Sequence, residues 1–220
     1  MKKLLILGMA AAMVLSTAAC SATDVVAKYA KTSFTALVDG NPERVSYDEG
    51  VEHWILETEE KEQFRFSKDF SQNNTDAAIV LKGKPFIDAG MDINKLSESE
   101  FLYDPVTDEL VLLFELGEEK LGGESASETF AKIVEQKRDL IDYHASADHY
   151  NISLPNGNKF EWAKDMSNND KDIVFVLNPQ PFIDAGVNPE QVEGWIFTKM
   201  EVEGKKGEEV DLFLKPLDLK

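Results

Sequence analysis

The chain has 220 residues, and its 41 acidic against 23 basic side chains give a formal charge of −18. Such a surface repels nucleic acid and anionic lipid, so a nucleic-acid-binding role is excluded. Hydrophobic residues make up 43% of the chain, with 13 Phe and 3 Trp, which is enough to build real cores and excludes wholesale disorder.

Met1-Lys2-Lys3 is a short basic start, and Leu4 to Leu15 is an apolar run too short to span a bilayer comfortably. An export signal over residues 1–19 is the expectation. The run ends Ser16-Thr17-Ala18-Ala19-Cys20, which resembles the bacterial lipobox, although Thr17 stands where that pattern has Leu. The resemblance implies cleavage before Cys20 and lipid attachment at Cys20. It further implies a membrane-anchored protein on the extracytoplasmic side of the bacterial cell envelope. Cys20 is the sole cysteine, so no intrachain disulfide can form.

An internal repeat governs the rest. Pro85-Phe86-Ile87-Asp88-Ala89-Gly90 returns letter for letter at Pro181 to Gly186, a spacing of 96 residues, and Ala30 to Phe101 overlies Ala126 to Phe197 without a gap. Matched pairs include Phe34 with Phe130, Tyr47 with Tyr143, His53 with His149 and Phe64 with Phe160. The expected fold class is α+β: two tandem repeats, each a helix packed on a mostly antiparallel sheet of about five strands. Unit one covers residues 20–121 and unit two 122–220, with Gly117 to Glu124 as linker.

In chain order, Val26, Ala30, Phe34, Leu37 and Val38 form one helical stripe, broken by Gly40 and Pro42. The second copy opens with Ser125-Ala126-Ser127-Glu128, a capping box, and its stripe runs from Phe130 through Ile141. A hairpin follows, turning at Glu59 to Glu62 in one copy and at Pro155-Asn156-Gly157-Asn158 in the other, where Asn-Gly tolerates positive φ. The third strand, Ala77 to Leu81 or Ile173 to Leu177, reads as central and covered on both faces. In the hexapeptide, Pro starts a helical turn and Gly ends it, with Asp92 and Asn188 as N-caps beyond. A closing hairpin ends each copy. Each copy is expected to build its own core, the two meeting through a modest interface. This plan is similar in architecture to proteinaceous β-lactamase inhibitors, with no motif shared, and so carries no function by itself.

Candidate chemistry is sparse. Asp88 and Asp184 could pair their carboxylates in a shared cleft, but Phe, Ile, Ala and Gly in the same hexapeptide all suit packing or backbone roles. His53 and His149 sit in acid–His–aromatic triplets that could orient an imidazole or ligate metal. They lack the spacing of a metal motif, and packed histidines are the preferred reading; His144 is the third in the chain. Asp69-x-Ser71-x-Asn73-x-x-Asp76 and its copy Asp165 to Asp172 alternate oxygen side chains as a Ca²⁺ loop does, without the Gly and distal Glu of an EF-hand. Asx-type turns explain the same letters. No serine stands in a nucleophile elbow. The expectation is therefore a non-catalytic lipoprotein with a binding or inhibitor-like role. It is anchored by its lipid, possesses no catalytic residues, cofactor or metal, and binds an envelope protein or a small ligand. The alternative is a hydrolytic or metal-dependent envelope enzyme using the paired Asp and His residues.

Overall fold

The computed structural model describes residues 22–58, 60–71, 75–164, 173–201 and 208–214. The expected signal segment, Cys20 and the second Asp/Ser/Asn loop at 165–172 lie outside them. The fold is α+β. Helix α1 (Ala22–Gly40) leads into a sheet of β1 (Val45–Asp48), β2 (His53–Glu57), β3 (Gln63–Ser67), β4 (Ala77–Lys82), β5 (Phe101–Asp104) and β6 (Glu109–Phe114), with the short helix α2 (Lys84–Asp88) between β4 and β5. Helix α3 (Ala126–Gln136) opens the second half, whose sheet contains β7 (Ile141–His144), β8 (His149–Ser153), β9 (Lys159–Ala163), β10 (Ile173–Leu177), β11 (Trp195–Glu201) and β12 (Glu208–Leu214), with α4 (Gln180–Asp184) between β10 and β11. The sheets run β1-β2-β3-β4-β6-β5 and β7-β8-β9-β10-β12-β11, the same order, with every neighbour antiparallel.

Each sheet has six strands where five were expected. The additional strands are β1 and β7, in which Val45 and Tyr47, or Ile141 and Tyr143, alternate with polar neighbours. The helical stripe read through Ile141 therefore runs too far. Helix α3 stops at Gln136, a 3-10 turn covers Arg138–Leu140, and Ile141 pairs with Ile152 across the sheet. Burial of Ile141 beneath α1 and the ladder bonds of β7 outweigh continued helical periodicity. The capping box is half formed. Ser125 Oγ accepts from the Glu128 N–H at 3.2 Å, while the Glu128 carboxylate accepts from the Glu124 N–H at 2.9 Å rather than from Ser125.

Strands β4 and β10 are buried from Ala77 to Leu81 and from Ile173 to Leu177, as expected of strands covered on both faces. Asn156 and Gly157 adopt φ of 63° and 81° in the β8–β9 turn, and Lys61 takes φ of 70° in the poorer turn of the first half. Three further hairpins share an unforeseen device. Glu52, Asp108 and Asp148 all lie in the left-handed region, each five residues after a tyrosine: Tyr47, Tyr103 or Tyr143. In two of them the tyrosine hydroxyl donates to that acid, Tyr103 to Asp108 at 3.2 Å and Tyr143 to Asp148.

The core is shared by the halves, which differs from the expectation of two cores and a modest interface. Equivalent phenylalanines meet one another: Phe34 stacks on Phe130 at 3.7 Å, Phe64 on Phe160 at 4.1 Å, and Phe86 meets Phe182 at 4.9 Å. An approximate two-fold axis passes between these pairs. The helices cross over it. Helix α1 lies along α3 and against β7 and β9 of the other half, where Ser33 Oγ donates to the Ala163 carbonyl. In return, Phe130 on α3 packs edge-on against Phe64 and Phe66, and Trp54 Nε1 donates to Thr129 Oγ1 at 3.0 Å. A lone repeat would leave its helix stripe and its sheet face uncovered, which is the physical reason for the fusion of the cores.

The duplicated hexapeptides form the joint on that axis. The Asp92 N–H donates to the Ala185 carbonyl and the Asn188 N–H to the Ala89 carbonyl, both at 2.8 Å, a reciprocal exchange between the copies. Gly90 and Gly186 have φ of 106° and 101°, and a Cβ on either would lie 2.8 or 2.9 Å from the other's carbonyl oxygen. Only glycine satisfies both the dihedral and the approach.

Candidate functional site

Helices α2 and α4 present Phe86 and Phe182 inward and leave Asp88 and Asp184 on the exposed side. Lys84 Nζ bridges both oxygens of Asp88 at 2.8 and 2.7 Å, and Gln180 Nε2 donates to Asp184 at 2.7 Å. Each carboxylate is thus served by a side chain of its own short helix, one turn earlier. Packing and backbone geometry account for the hexapeptide.

The triplets around His53 and His149 are divided among three tasks. Glu52 and Asp148 occupy left-handed turn positions. His53 is buried, with Nε2 2.8 Å from the Thr75 carbonyl oxygen and Nδ1 against the Val51 carbonyl. His149, also buried, places Nδ1 2.5 Å from the Ala147 carbonyl. The aromatic member points elsewhere: Trp54 reaches Thr129, and Tyr150 lies 5.2 Å from Tyr143. These histidines tie strand to turn. His144 is partly exposed and sits 2.9 Å from Ser146 Oγ and 3.6 Å from the Glu161 carboxylate.

In the first Asp/Ser/Asn loop, Asp69 Oδ1 accepts from both the N–H and the hydroxyl of Ser71, at 2.9 and 2.6 Å. This is the Asx turn the letters allow. Asp76 is buried and accepts from the Leu116 and Gly117 N–H groups. Burial holds its pKa above the usual carboxylate value, and those two backbone bonds offset this only in part. An open cleft of about 640 Å³ lies there, lined in part by Phe70, Ser71, Asp76 and Gly117. Asn73 lies outside the described residues. Among the described residues no group of three or more His, Cys, Asp or Glu is placed to hold a metal ion.

A groove of about 420 Å³, which the local sequence does not announce, lies along β5, an edge strand of the first sheet. It is lined by Ile93, Leu96, Phe101, Leu102 and Tyr103 together with the polar Asn94 and Glu98. Leu102 is 51% exposed and Val106, at the adjoining turn, 90% exposed. The signal available in the sequence is Phe101-Leu102-Tyr103, an unbroken apolar run in which strand alternation must turn one residue outward. Acids surround it: Asp92, Glu98, Glu100, Asp104 and Asp108 against the single Lys95 between residues 92 and 108. Glu100, Asp104 and Asp108 accept from neutral donors, the Asn156 amide, the Val106 N–H and the Tyr103 hydroxyl. Asp108 also lies in the field of Lys84, which leaves Glu98, Glu100 and Asp104 as the acids that give the groove its charge.

Among the described residues no helix is long and apolar enough to cross a membrane. Comparison with protein-family models, with curated proteins and with solved structures finds no match to this chain.

Proposed function

We propose that the chain is a lipid-anchored protein of the bacterial cell envelope whose role is binding rather than catalysis. One observation carries the binding half of this reading. Among the described residues, the duplicated polar groups that could do chemistry are held by turns, carbonyls and local partners, while a groove of mixed apolar and polar lining, with acids beside it, stays open along β5. Anchoring draws its support from the lipobox-like run ending at Cys20, with α1 beginning at Ala22. A lipid on Cys20 would hold the body close to the membrane, since a single residue separates the two. One acyl chain gives marginal, reversible binding, and stable anchoring requires more than one.

Cys20→Ala tests the anchor. The variant is expected in the soluble exported fraction, with the unsubstituted chain in the membrane fraction. Equal membrane levels for the two would reject lipidation.

A further inference from the structure

The groove beside β5 has the features of a site for an extended polypeptide. The Leu113 N–H donates to the Glu100 carbonyl at 2.8 Å, which sets the alternation of the β5–β6 ladder. Leu102 and Asp104 then turn their backbone groups toward β6. The Phe101 carbonyl and both backbone groups of Tyr103 turn to the open edge. The Phe101 N–H is already used, donating to the Ser97 carbonyl at 2.8 Å. Outward-facing backbone groups beside a groove for side chains are the two requirements for adding a strand to a sheet.

Three further strands end the sheets. Strand β7 lies against α1, and β1 carries no large exposed apolar residue. Strand β11 exposes Ile196, but it carries Thr198 where β5 has Leu102, and the acid Glu100 of the first half is replaced there by Ile196 itself. The groove's chemistry then selects its occupant. A second copy of this chain would bring a like acidic rim against this one, which is repulsive. A segment alternating basic and apolar residues meets each requirement: its backbone pairs with β5, its apolar face covers Leu102 and the groove floor, and its cations neutralise Glu98, Glu100 and Asp104.

We infer that β5 and its groove form a docking site for an extended, cationic, amphipathic segment of a partner protein, bound by strand addition. This rests on the binding half of the proposed function and is independent of the lipid.

The test uses the purified chain and a synthetic peptide of about nine residues alternating Lys and Val, the length of an ordinary strand. Isothermal titration calorimetry should show saturable binding that weakens with salt. Methylating the peptide's backbone nitrogens on the edge-pairing face should abolish it, and methylation of the opposite face should not. Leu102→Asp should weaken it about tenfold or more, because a contact worth a buried leucine is lost. The substitution also adds an acid to the groove, so mere attraction of cations to an anionic protein would strengthen binding instead. Leu102 is half exposed, and an unchanged melting temperature would certify the fold. Equal affinity for a Glu/Val peptide, insensitivity to methylation, or tighter binding by Leu102→Asp would each overturn the site. So would self-association of the chain through β5 in sedimentation. None of these outcomes touches membrane fractionation, so the anchor stands or falls separately.

Discussion

Glu62 offers a direct test of the packing described above. It stands at the start of β3, 4% exposed, with Oε2 buried and without a hydrogen-bond partner. Desolvation, reinforced by Glu60 and opposed by Lys82, pushes its pKa from 4.5 up to about 8. The folded chain therefore keeps this proton to higher pH than the unfolded chain does. The stability that the group contributes is full below about pH 4.5 and is lost as pH rises through about 8. At pH 7 the separation from 4.5 corresponds to roughly 3 kcal/mol, at 1.36 kcal/mol per unit. Glu62→Gln keeps the shape and removes the charge, and the second half already carries a neutral amide there, Asn158. Urea denaturation of the native chain and the variant at about pH 5, 7 and 8 isolates this site from the chain's many other acids, because only the difference between the two proteins is read. The variant should be little different near pH 5 and more stable by about 2–3 kcal/mol at pH 7. A difference that stays within about 0.5 kcal/mol across that range would show that Glu62 is hydrated in solution and that its burial is misjudged.

Two further outcomes follow from the shared core. Phe86→Ala and Phe182→Ala should each cost about 3–5 kcal/mol in chemical denaturation, and since the rings lie 4.9 Å apart the double variant should depart from additivity by about 0.5 kcal/mol or more. Strict additivity would place the two rings in separate cores. Expressed separately, residues 22–117 and 122–220 should be molten or insoluble and should recover a cooperative melt when refolded together; a sharp melt from either alone would contradict the crossing of the helices.

The fold was legible where the repeat supplied two readings of one structure. The poor turn at Lys61 is located by its partner Asn156-Gly157, and the central strands by two apolar runs. The end of α3 was available in the same way: Gly40 and Pro42, shifted by 96, fall on Gln136 and Arg138, where the helix stops and the 3-10 turn begins. Leu140 and Ile141 satisfy helical spacing as well as strand alternation, so the letters of the second copy alone extend the stripe through Ile141. The crossing of helices was not legible at all. An amphipathic helix specifies that it needs an apolar partner, not which sheet provides it, and the two sheets offer nearly the same face. The candidate site behaved similarly. Asp69 and Ser71 disclose an Asx turn by their letters, whereas the groove depends on β5 ending a sheet, a fact of topology rather than of local sequence.

The relation between the copies also explains which letters they share. The crossed helices and the exchanged Asp92–Ala185 and Asn188–Ala89 bonds make an isologous contact, the arrangement of a two-fold dimer held in one chain. A residue on such an axis meets its own counterpart, so a change in one copy is felt against the other. Phe34, Phe64, Phe86 and Gly90 all meet their equivalents directly, and all four are identical in the second half. Away from the axis identity is kept where a turn is repeated, as at Tyr47/Tyr143 and His53/His149, and elsewhere pairs differ: Trp54 against Tyr150, Glu62 against Asn158, Leu102 against Thr198. Leu102 is the outward residue of the β5 edge and Thr198 its counterpart on β11, which exposes Ile196 instead, so the two edges present different surfaces. The duplicated letters therefore mark the joint and the repeated turns, and a binding surface must be sought where the two copies part.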